Sequence, residues 1–160
     1  MRVYCLDTNA LIEPWNKYYT ITRCPEYWGI LDQLALDGRI FCTWEVKREI
    51  EKTDDALSEW TQARQHMFRE ETSKANTYLR EILARFPRLI DSSKGRSMAD
   101  PWVIAHAMAD AAIVVTKELP VPRTSEKIKI PTVCEAFGVE WMDDFAFIDE
   151  VGIRFSATLG

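Results

Sequence analysis

With 160 residues, 47% of them hydrophobic and 28% charged, the chain has the apolar content of one globular domain with a substantial core, and its six Trp and seven Phe exclude a disordered chain. The net charge of −5 excludes a broad non-specific coat for nucleic acid without excluding a local basic face. Cys5, Cys24, Cys42 and Cys134 form no Cys-x-x-Cys pair and read as free thiols, and no apolar run suits a signal peptide or a membrane span, so a cytoplasmic protein with no membrane partner is expected.

The chain opens on a β-prone run, Val3-Tyr4-Cys5-Leu6, that stops at Asp7-Thr8-Asn9. The carboxyl ends of strands in an open α/β sheet face the ligand crevice, which makes Asp7 the first candidate site residue. Any of the three polar residues is equally a good helix cap. Ala10-Leu11-Ile12 starts a helix that Pro14 kinks or ends, and Trp15, Tyr18 and Tyr19 read as an aromatic loop. Pro25 opens a helix that runs from Glu26 to Leu36 and stops at Gly38. Ile40-Phe41-Cys42 is a second buried strand.

Trp44 to Glu51 is helical, with Val46 and Ile50 on one face and Glu45 and Glu49 on an adjacent one. Asp54 and Asp55 cap a helix carrying Leu57, Trp60 and Met67; a second carries Leu79, Ile82, Leu83 and Phe86 and ends before Pro87. These form a helical excursion over residues 54–96. Arg64, Arg69, Lys74, Arg80, Arg85, Arg88, Lys94 and Arg96 lie along it, either as a solvated helix face or as a basic surface. Ser92 to Ser97 reads as a loop. Asp100 is then an N-cap with Pro101 at the first helical position, and Ala111 to Val115 is a central strand ending in Thr116-Lys117-Glu118. Pro131 to Phe137 is a helix, Val139-Glu140-Trp141 a last strand, and Asp143 to Glu150 a closing helix. This alternation predicts a single α/β domain over residues 1–160, with a central parallel sheet.

Asp7 and Glu118 follow strands directly, Glu49 (or Glu45) stands on a helix just after one, and Asp100 heads a helix. One sheet edge can gather all of them. Clustered carboxylates repel one another and raise each other's pKa unless cations neutralise them. Mg²⁺ or Mn²⁺ suits such a donor set, whereas zinc does not. Asn9 and Thr116 would support the site by orienting a carboxylate or a water.

Leu6-Asp7-Thr8-Asn9, Val46-Lys47-Arg48-Glu49-Ile50, Ala99-Asp100-Pro101-Trp102-Val103-Ile104-Ala105 and Val114-Val115-Thr116-Lys117-Glu118, in this order, resemble the PIN domain of VapC-type toxin ribonucleases. Lys129-Ile130-Pro131-Thr132-Val133-Cys134 with Gly138 is similar to an uncharacterised PIN subfamily. The resemblance implies a three-layer α/β/α fold with four to five parallel strands. It also implies a catalytic Mg²⁺ or Mn²⁺ site built from Asp7, Glu49, Asp100 and Glu118, with Glu49 preferred to Glu45. Glu118 stands where the family more often has Asp. The implied activity is endoribonuclease cleavage by a metal-activated water. The implied partners are an RNA substrate, a cognate antitoxin and a second copy of the chain. Lys117, Arg123, Lys127, Lys129 or the basic residues of the excursion would position RNA phosphates. The alternative is a PIN-like module that binds RNA or protein without useful activity. A phosphoryl-transfer enzyme of the haloacid-dehalogenase type expects a second Asp where Asn9 stands.

Overall fold

Tyr4, Cys5 and Leu6 are buried on both faces, as a central parallel strand requires. In the computed structural model, which describes residues 1–53, 55–90 and 98–160, they form β1 (Tyr4–Leu6) at the middle of the sheet. After it come α1 (Asn9–Glu13), α2 (Pro25–Leu36), β2 (Ile40–Thr43), α3 (Trp44–Glu51), α4 (Ala56–Gln62), β3 (Phe68–Arg69) and α5 (Ser73–Arg85). The chain continues through α6 (Asp100–Asp110), β4 (Ile113–Val115), α7 (Ile130–Phe137), β5 (Trp141–Met142) and α8 (Asp144–Val151). The strand order is β3-β2-β1-β4-β5 and every pairing is parallel. Tyr4 stands beside both Ile40 and Ile113, so β1, β2 and β4 end on the same edge. The order reverses around β1, the first strand, and a crevice at such a switch point is where open α/β sheets bind ligands.

Local chemistry starts and stops the helices where the sheet needs them. Thr43 accepts from the Val46 N–H at 3.3 Å to begin α3, Thr72 from Ala75 at 3.1 Å to begin α5, and Asp143 from Ala146 at 2.8 Å to begin α8. Gly138 ends α7 at φ 69°, a left-handed conformation that suits a residue without Cβ. Ala111 takes the same role after α6 at φ 51° with no such freedom. α6 packs on β1, β2 and β4 through Val103, Ile104, Ala105 and Ala107, all buried. Trp15, Trp28 and Trp60 meet edge-on or tilted, the first two at 4.7 Å between centroids. The Trp28 Nε1–H donates to the Tyr19 carbonyl at 2.6 Å. Cys5, Cys42 and Cys134 are buried free thiols, and Cys24 is free and half-buried.

Several boundaries differ from the sequence expectations. Pro14 to Tyr18 is no loop but a wide helical turn closed by the Tyr19 N–H on the Pro14 carbonyl at 2.8 Å, which turns Trp15 into the core. The helix expected to reach Met67 stops at Gln62. A tight turn at Gln65–Met67 leads into β3, a strand inside the excursion too short to show an alternating pattern. β4 starts at Ile113 because Ala111 is spent on the turn, and β5 starts at Trp141 rather than Val139. Asp100 is the first residue of α6, not its cap: Ala99 holds that position and no side chain caps the helix. Asp55 caps α4 by accepting from Ser58 at 3.1 Å, while Asp54 and the loop expected from Ser92 to Ser97 lie outside the described residues.

Candidate metal centre

The carboxyl edge of the sheet collects the four acidic residues singled out from the sequence. The Asp7 N–H donates to the Val115 carbonyl at 2.9 Å, extending the β1–β4 ladder by one residue and pinning Asp7 beside the end of β4. Its side chain is 3% exposed. One carboxylate oxygen accepts from the Thr8 N–H at 2.8 Å and the other from the Thr116 hydroxyl at 2.9 Å. Thr116 in turn accepts from the Glu118 N–H at 3.1 Å, which couples the backbone at Glu118 to the Asp7 carboxylate through one hydroxyl. Asn9 accepts from the Lys117 N–H at 2.8 Å and so ties the start of α1 to the end of β4. Thr116 thus touches the Asp7 carboxylate directly, whereas Asn9 meets only the Thr116 hydroxyl and the Lys117 backbone.

Asp100 is 8% exposed at the first position of α6, and its carboxylate is not used for capping. Burial, and then repulsion from Asp7, Glu118 and Glu49, push its carboxyl up to about 9, partly offset by attraction to Lys127. Burial and the charges of Glu118 and Glu49 likewise push Asp7 up to about 7, against the hydrogen bonds from Thr116 and Thr8. Asp100 thus feels the charges of Asp7, Glu118 and Glu49, and Asp7 those of Glu118 and Glu49, a distribution of like charge that only added protons or cations relieve.

Glu49 reaches this edge from α3. Its carboxylate accepts from the Thr8 hydroxyl at 2.6 Å and from the Ala99 N–H at 3.3 Å, so it bridges the loops that carry Asp7 and Asp100. Glu45, one turn earlier, does not join the group: burial raises its carboxyl, and its charged neighbours are Arg48 and Glu71. Glu118 leans toward α7, accepting from the Ile130 N–H at 3.1 Å and pairing with Lys129 at 3.5 Å. Among the described residues no group of three or more His, Cys, Asp and Glu side chains is placed to hold a metal ion. The four carboxylates share one edge and act on one another through their charges.

The basic residues are placed less freely than their sequence suggests. Lys117 does not face the crevice opening: its Nζ donates to Asp144 and to the Tyr18 hydroxyl, both at 2.8 Å, and lies 4.2 Å from the centroid of Phe145. Arg64 pairs with Asp32 at 3.2 Å, and Arg69 with Asp110 at 3.0 Å while lying over Phe41. The Thr8 contact to Glu49 and the Lys129 pairing with Glu118 were not indicated by the sequence, because both join segments distant in the chain.

Two solved structures share this fold. A chain of VapBC2 from Rickettsia felis, in a complex bound to a DNA fragment from its promoter, matches with a TM-score of 0.53 at 18% identity over 88% of this chain and 98% of that one. A chain of DNA-bound VapBC from Salmonella typhimurium matches with a TM-score of 0.54, also at 18% identity, over 90% of this chain and 99% of that one. The five-stranded parallel sheet with its flanking helices is therefore the α/β PIN-like fold expected from the sequence. No curated protein sequence matches the chain. A family model, described as a domain of unknown function (DUF4411), matches residues 4–155; the chain belongs to this family, with a PIN-like fold.

Proposed function

We propose that this protein is a Mg²⁺- or Mn²⁺-dependent endoribonuclease and the toxin of a toxin–antitoxin pair. The observation that carries the reading is the convergence of Asp7 and Asp100, both buried, with Glu49 and Glu118 at the switch point of the sheet. The donor set fits a hard divalent cation: all-oxygen, anionic, and under-neutralised by the lysines around it. Mg²⁺ in particular uses only one or two carboxylates and keeps several waters, so a loose group of four suffices. A cation bound here would polarise a phosphoryl oxygen and supply a nucleophilic water at neutral pH. Asp7 and Asp100 would hold it, and Glu49 and Glu118 would share it or orient waters around it. Thr116 fixes the Asp7 carboxylate, and Thr8 and the Ala99 N–H fix that of Glu49. An RNA substrate and a homodimer follow from the family resemblance. An antitoxin partner is supported further by the two similar folds, both of which come from VapBC complexes.

The experiment is RNA cleavage by purified protein in Mn²⁺, with calorimetry of Mn²⁺ binding. Asp7→Asn and Asp100→Asn are each expected to lower cleavage about a hundredfold or more, a loss of the size seen when a charge-stabilising group is removed from an active site. The engagement of Glu118 with Ile130 and Lys129 favours a second reading, a PIN-like module that binds without cutting. Wild-type protein that neither cleaves RNA nor binds Mn²⁺ would establish that reading instead.

A further inference from the structure

A hollow of about 650 Å³ adjoins the carboxylates, lined by Trp44, Trp102, Glu45, Arg48, Glu49 and Lys52, with Ala99 and Met98 among the remaining walls. Its volume is that of a small-ligand pocket. It opens onto the candidate metal centre through Glu49 and Ala99, the same pair whose hydrogen bond bridges the Asp7 and Asp100 loops. The two indoles come from elements distant in the chain, the first residue of α3 and the first turn of α6. Both are held. Lys47, paired with Glu51, lies 4.8 Å from the centroid of Trp44, and His106 lies 6.1 Å from Trp102.

We infer that the Trp44–Trp102 hollow is a nucleobase subsite, taking the unpaired base next to the scissile phosphate. The inference rests on the nuclease reading of the adjoining carboxylates. Every base offers a π-face to an indole, so stacking gives affinity without sequence. Glu45, Glu70 and Glu71 keep a phosphate out of the hollow, while Arg48 and Lys52, both exposed at its wall, suit the phosphates of the flanking strand. The rival occupant is an arginine side chain of a protein partner, which the glutamates of the lining would also attract.

The test is binding of fluorescent eight-nucleotide A, C and U homopolymers to the full-length protein in EDTA, beside Mn²⁺-dependent cleavage of the same strands. Trp44→Ala and Trp102→Ala are expected to weaken binding of all three strands about tenfold or more. Trp102→Phe should restore most of it, which separates stacking from a folding defect. Unchanged binding by the tryptophan variants, with cleavage intact, would overturn the subsite and leave the nuclease standing. Wild-type protein that neither binds nor cuts any strand would overturn both readings. Displacement of an arginine-bearing peptide by Trp44→Ala, with no effect on the oligonucleotides, would assign the hollow to a protein partner and overturn the subsite.

Discussion

Asp7 and Asp100 carry opposite lessons about one residue type. Each is of the type that caps helices, yet Asp100 caps nothing and Asp7 ends a strand with both oxygens directed by donors from two segments. Their burial makes the metal-free protein pH-dependent in a definite sense. Both carboxyls lie above the value of 3.8 they take when exposed, at about 7 and about 9. Their contribution to stability is therefore fullest below about pH 4 and is lost as pH rises through those values, because the folded state resists losing its protons. His106 acts in the other sense. Burial lowers its pKa beneath 6.5, and neither ring nitrogen has a hydrogen-bond partner among the described residues, so it costs stability as pH falls below that value. Between pH 6.5 and 9 the carboxylates dominate. In EDTA the wild-type melting temperature should fall across this range, and that of Asp100→Asn should fall less. Equal slopes in thermal melts would contradict the assignment. Thr116→Val removes the hydroxyl that fixes Asp7, and Mn²⁺ affinity measured by calorimetry should drop about tenfold to a hundredfold, as for other groups that orient a ligand.

At the scale of the element, α6 shows how a helix can be tuned at one end and strained at the other. Its first turn presents Asp100 to the site and Trp102 to the hollow, while Val103, Ile104 and Ala107 pack on the sheet. Its last residue hands over to Ala111 in the left-handed region at φ 51° and ψ 43°. Because Ala111 is exposed and only its backbone is constrained, Ala111→Gly should stabilise the protein by about 0.5–1 kcal/mol in denaturant melts. At the start of α3, Thr43→Ala should cost about 1 kcal/mol by removing the hydroxyl that accepts from Val46. The extent of α2 and α3 was legible from spacing and end signals, since each spans two or more turns with apolar residues on one side, whereas only the C-terminal half of α5 was. β3 was not legible, because Phe68 and Arg69 become a strand only through their pairing with Cys42 and Thr43. The turn at Pro14–Tyr18 was missed for a similar reason: Trp15 is drawn inward by Trp28 and Trp60, which nothing local announces.

For the whole molecule, the sheet order places the ends of β1, β2 and β4 on one edge, and the carboxylates come together because of it. A cation that binds only the folded state must then stabilise it by mass action. Millimolar Mn²⁺ should raise the wild-type melting temperature and leave that of Asp7→Asn nearly unchanged. A shift of equal size in both proteins would mean that the ion binds elsewhere. No helix among the described residues is long and apolar enough to cross a membrane.

Apart from β3, the order of strands and helices and the parallel class of the sheet were set by the sequence alone, because apolar runs, caps and breakers act over a few neighbouring residues. Which acidic residue of α3 faces the others was decided by tertiary structure: Glu49 and Glu45 stand one turn apart, and only the position of Thr8 and Ala99 separates them. The fate of the basic residues was decided there as well. Lys117 is drawn to Asp144 and Lys129 to Glu118, from parts of the chain that meet only once the sheet has formed. Charge says what a side chain can pair with; the fold decides which partner it reaches.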